Sequence, residues 1–161
     1  MGSRKRQLLL CMSLMWALSP ASNAQQQCLK NAWAAFNKTD YVAAMKFTEE
    51  CIEDFGSRAS KEQAALEAKR EKLPPTGAVE NAADRKQIFD RWAVNDVATA
   101  FFIKGRSAEY LYKKQKSTKF REIASEAYKS AAKLTYGRCW DPQGWFWSPA
   151  EAVGERLPLL K

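Results

Sequence analysis

The chain contains no histidine, so neither a Ser-His-Asp nor a Cys-His catalytic arrangement can be built from it, and imidazole metal ligation is excluded with them. Cysteine is scarce too. Cys11, Cys28, Cys51 and Cys139 lack the paired spacing of zinc ligands, and no glycine-rich phosphate loop occurs, so the expectation is no metal, no cofactor and no catalytic residues. Paired acids such as Glu49, Glu50, Glu53 and Asp54 lie where a helix turns outward, which reads as solvated charge rather than as the acid and base of a glycosidase. Long apolar runs are also missing, apart from one near the start.

That run covers 8–18, follows Arg4, Lys5 and Arg6, and leads to Ser22-Asn23-Ala24. A cationic start, a short apolar centre and small residues two apart describe a secretory signal cleaved after Ala24. The alternative, an uncleaved anchor helix, is short of the ~20 residues a membrane span requires. The expectation is a signal peptide over 1–24, a single domain over 25–161, no integral span after cleavage, and a periplasmic or secreted location. Loss of those three cations reduces a net charge of +8. What remains is uneven, since 104–138 carries ten Lys or Arg against Glu109, Glu122 and Glu126. Such a patch suits nucleic acid, but an exported protein seldom meets any, so a solvated helix face is expected and no nucleic-acid partner.

Over 28–55, Cys28, Leu29, Ala32, Trp33, Ala35 and Phe36 recur at the spacing of one helix face, and Tyr41, Ala44, Met45, Thr48, Cys51, Ile52 and Phe55 at that of a second. The polar segment 37–40 between them is short enough to force an antiparallel pair, with Thr39 or Asp40 able to cap the second helix. Antiparallel packing sets the start of one helix beside the end of the other, which is where Cys28 and Cys51 stand. They are expected to form a disulfide in the exported protein, the alternative being two buried thiols. Gly56 is a plausible stop. A third helix is expected over 60–73, with Ser60 and Gln63 as a capping box and a thin apolar face lying on the surface. Pro74, Pro75 and Gly77 then break the chain. Helix resumes near Asn81 with Ile88, Phe89 and Trp92, and Asn95 is expected to cap the next one. In that helix Val97, Ala100, Phe101, Gly105, Ala108, Leu111 and Tyr112 form an apolar stripe. Its partner supplies Phe120, Ile123, Ala124, Ala127, Tyr128 and Ala131 across a connection at 113–117. Gly105 in mid-helix costs ~1 kcal/mol relative to alanine unless another backbone must come close.

Thr39-Asp40-Tyr41 between the first two helices resembles the turn of the tetratricopeptide repeat, with Thr39 where that family prefers glycine. Phe101, Gly105 and Ala108 with Ala124, Tyr128 and Ala131 resemble a second unit. The resemblance implies an all-α fold of about five to seven helices in antiparallel hairpins over 28–56 and 95–134, joined by connecting helices over 58–93. It also implies a role in holding another protein or peptide.

The segment 137–161 is expected to be an aromatic-rich cap. Gly137 suits the end of the preceding helix, and Ser148, Pro149 and Glu151 mark the start of a short last one. Between them stand Trp140, Asp141, Trp145, Phe146 and Trp147. These rings either seal the open end of the second hairpin or remain available to a partner. Two functions follow: a non-enzymatic adaptor binding protein or peptide, and an envelope polysaccharide-associated protein using Trp140, Trp145 and Trp147, less readily a glycosidase.

Overall fold

The computed structural model describes residues 20–160, with side chains from Gln27 onward; most of the expected signal segment lies outside the described residues. The chain is mostly helical, as expected. Its elements are α1 (Pro20–Asn37), α2 (Tyr41–Ala68), α3 (Ala82–Asp90), α4 (Trp92–Gln115), α5 (Thr118–Ala132), strands β1 (Cys139–Asp141) and β2 (Trp145–Trp147), α6 (Pro149–Gly154) and a 3-10 turn, Leu157–Leu160.

Helix α4 is the axis. Its alanines Ala93, Ala98, Ala100 and Ala108 are fully buried, and small side chains let neighbouring backbones come close. Helix α2 runs antiparallel to it. Ala59 packs near Val94 and Val97, Glu49 meets the Lys104 ammonium at 2.9 Å, and Met45 reaches the cluster around Ala108. Helix α1 lies parallel to α4, with Ala32 beside Ile103 and Phe36 against Tyr110. Helix α5 returns antiparallel, placing Ala124, Tyr128 and Ala131 against α4 and Leu134 near Val94. Gly105 is where the closest approach occurs: a Cβ there would lie 2.3 Å from the Tyr128 ring.

A disulfide joins Cys28 of α1 to Cys51 of α2, with Cα atoms 5.6 Å apart. The turn between these helices is closed by Asp40, whose carboxylate accepts from the Ala43 amide at 3.1 Å. Thr39 occupies left-handed backbone, φ 61°, a conformation that costs a β-branched residue and suits glycine.

Several expected boundaries move. Gly56 does not stop the second helix; its φ is not positive, and α2 continues to Ala68 because Ala59 and Gln63 beyond it are buried. The separate helix expected from Ser60 is therefore the second half of α2; its apolar face is thin, with Ala64 and Ala68 exposed, and Gln63 is its buried contact. Gln63 donates to Thr135 Oγ1 at 2.9 Å and accepts from the Tyr136 amide at 3.2 Å. Burial of one flank outweighed a weak stop signal. Asn81 does cap α3, accepting from the Ala83 and Asp84 amides. Asn95 is no cap. It sits inside α4, donating to the Ile88 carbonyl at 2.7 Å and accepting from the Arg138 amide at 2.8 Å. The expected connection at 113–117 shrinks to Lys116 and Ser117, because α4 persists through Gln115. Gly137 does not end a helix, since α5 stops at Ala132; it packs against Ala98 and the Val94 carbonyl, where a Cβ would lie 2.7 Å from Ala98 Cβ.

Candidate functional site

The aromatic tail is a β-hairpin. Asp141-Pro142-Gln143-Gly144 supplies a turn, with the Asp141 carboxylate accepting from the Gln143 amide at 2.8 Å and Gly144 at φ 101° closing it. Aromatic residues on both sides favour extended backbone. The register pairs Cys139 with Trp147, Trp140 with Phe146, and Asp141 with Trp145. Because side chains alternate along a strand, Asp141, Trp145 and Trp147 share one face, and Trp140 and Phe146 the other.

The second face anchors the hairpin. Phe146 is buried between Phe89, 5.6 Å away, and Trp140, 4.8 Å away, both edge-on. Its backbone exchanges two hydrogen bonds with Gly77, at 2.7 and 2.9 Å, which ties the hairpin to the connection between α2 and α3. Arg138, 3% exposed, fastens the same place. Its guanidinium donates to the carbonyls of Pro74, Pro75, Thr135 and Gly137. Burial holds its pKa below the ordinary arginine value, but four carbonyl acceptors satisfy the charge where it stands.

The first face borders a groove of about 610 Å³. Trp33 and Asn37 of α1 form one wall, Phe102 of α4 and Ala152 of α6 lie opposite, and Trp140, Asp141, Trp145 and Trp147 complete it. Trp147 packs edge-on against Phe102 at 4.8 Å, fixing its position. Trp140 and Trp145 are each 42% exposed, large for rings of that size in a folded chain. A neighbouring hollow of about 350 Å³ shares Trp33, Cys139 and Trp140 with the groove and is bordered by Asp96 and Thr99. Cys139 is unpaired, and burial first, then the charges of Asp96 and Asp141, pushes its thiol up to about 11, so it is protonated at neutral pH.

Of the residues singled out in the sequence, Asp141, Trp145 and Trp147 come together on one face with Trp140 at its edge, while Phe146 is turned into the protein. Trp33, Asn37 and Phe102 were not singled out as site residues. Trp33 and Asn37 stand four apart on α1 and so share a face, offset from the buried Ala32 and Ala35. That offset was the available signal.

A second polar cluster lies about two turns further along α4, where Glu109 follows Phe102 by seven residues. Glu109, 2% exposed, accepts from Lys113 Nζ at 2.5 Å and from the Tyr128 hydroxyl at 2.6 Å, with Arg106 and Arg156 each 3.7 Å away. Burial alone would raise its pKa, but these donors and cations outweigh that and lower it. Burial and the Glu109 contact drive the Tyr128 phenol far above its ordinary value. The cluster is closed on itself and carries structure. Among the described residues no group of acids and cysteines is arranged to hold a metal ion, and no helix is long and apolar enough to cross a membrane.

No family model, no curated protein and no solved structure matches this chain.

Proposed function

We propose that the chain is an exported, non-enzymatic interaction module that holds an extended segment of another protein, on a scaffold of two tetratricopeptide-like hairpins, α1–α2 and α4–α5. The observation carrying this reading is the groove walled by Trp33, Trp140, Trp145 and Trp147, where rigid indoles stand half-exposed beside a few polar groups. Flat aromatic surfaces offer contact area at small entropic cost, and extended peptides exploit them. The hairpin reading draws support from the close contact of Gly105 with Tyr128, and export from the Cys28–Cys51 disulfide.

A second reading has its own observation. Asn37 and Asp141 beside the indoles also fit the hydroxyls and ring faces of an envelope polysaccharide. Tryptophan emission of the purified protein decides between them, after an array of overlapping decapeptides from exported proteins supplies the peptides. Saturable shifts with array-positive peptides and none with neutral oligosaccharides are the expected result. Saturation by oligosaccharide alone would hand the groove to the glycan reading.

A further inference from the structure

The geometry points to a guanidinium as the group the groove selects: the bound segment carries an arginine that lies against the indoles and pairs with Asp141. This rests on the peptide-binding reading and specifies its ligand.

The first observation is charge. The chain has a net charge of +8, yet the groove is lined by the Asp141 carboxylate and by no lysine or arginine. A cation entering there meets a counter-charge, with Arg85 beside Trp140 the one guanidinium set against a groove ring among the described residues. One oxygen of Asp141 is held by the Gln143 amide at 2.8 Å, which fixes the carboxylate on the same face as Trp145 and Trp147.

The second observation comes from the other aromatic rings. Arg58 lies 4.4 Å from the Trp92 centroid, Arg106 5.0 Å from Tyr110, Arg91 5.3 Å from Tyr136 and Arg85 5.9 Å from Trp140. This fold repeatedly satisfies an indole or phenol face with a guanidinium of its own. Of the four indoles that wall the groove, Trp140 at the edge carries Arg85, while Trp33, Trp145 and Trp147 have no such cation over them among the described residues. A planar, weakly hydrated guanidinium suits those faces better than an ammonium, and its fork matches a carboxylate. A proline-rich backbone around the arginine keeps the segment extended before binding.

The test titrates tryptophan emission with a blocked proline-rich decapeptide containing one central arginine, and with the same peptide carrying neutral, isosteric citrulline instead. Citrulline should weaken binding about tenfold, and the preference should shrink as salt is raised. Asp141→Asn keeps an acceptor for the Gln143 amide while removing the charge, so it should abolish the preference; Asp54→Asn, on the exposed side of α2, should preserve it. Equal affinity for both peptides would overturn the arginine requirement while leaving peptide binding intact. Binding of neither peptide would overturn it as well, and saturation by neutral oligosaccharide in the same experiment would remove the peptide reading too.

Discussion

Within one turn of α4, two aromatic rings are received in opposite ways. At Gly105 the helix gives up a side chain so that Tyr128 can lie against its backbone, and the hydroxyl of that ring ends on Glu109, itself satisfied by Lys113. At Phe102 the helix offers a large ring to Trp147, and the indoles around that contact continue outward to half-exposed Trp140 and Trp145. The first arrangement is closed, with the Tyr128 hydroxyl and the Lys113 ammonium both satisfied by Glu109. The second is fixed at its base and open at its rim, and the exposed part of those indoles contributes little to folding. Sensitivity to substitution should therefore separate the two sides: stability on one, binding on the other.

The largest expected effect is at Gly105→Ala. The added methyl would lie 2.3 Å from the edge of the Tyr128 ring, and forcing that ring aside should lower stability by about 3 kcal/mol in a denaturant titration. A change below about 0.5 kcal/mol would mean the contact is slack and the contrast false. Next, Glu109→Gln should lose about 2 kcal/mol, because hydrogen bonds to a charged partner are the stronger kind. Its pH dependence has a definite sign. A carboxyl whose folded pKa is depressed contributes stability above its unfolded value near 4.5, and loses that contribution as pH falls through the lower folded value. Melting curves between pH 7 and pH 2 should thus converge for the two proteins at the acid end.

A gain of about 1 kcal/mol is expected from Thr39→Gly, which removes a β-branched side chain from left-handed backbone. The same substitution should leave the groove unchanged, since Trp33 and Asn37 precede the turn; altered peptide binding would show that the turn sets the wall. The smallest effect belongs to Trp145→Ala, about 0.5 kcal/mol or less in stability, alongside loss of the emission response to ligand. Destabilisation comparable to that of Gly105→Ala would make Trp145 a structural residue and the open side closed after all.

The helical hairpins were legible because apolar spacing, the Asp40 cap and the two cysteines all pointed the same way. Gly105 was legible in part: its cost in a helix called for a close approach, but a backbone was expected there and the Tyr128 ring is what comes close. Asn95 and Gln63 misled because a cap and a buried cross-link use the same side-chain atoms, and only the position of the 135–138 segment decides between them. Gly56 misled because a glycine can continue a helix as well as end it when Ala59 beyond it is buried. The hairpin was in principle readable. Pro142 and Gly144 between aromatic runs are turn chemistry, and reading the rings only as a cap or a contact surface hid their alternation. Trp33 had to wait for the fold, since its role depends on residues more than a hundred positions away.

Arg138 binds Pro74 and Pro75 through carbonyls whose residues have no amide hydrogen to satisfy in return, so this clasp works in one direction only. It spans more than sixty positions of sequence, and with the Gly77–Phe146 backbone pair it seats the hairpin on the connection between α2 and α3. During refolding the helices can pair from contacts nearby in sequence, whereas the clasp waits until both distant segments arrive. The groove is then expected to assemble late, and the emission of its tryptophans should follow that step as a slow refolding phase.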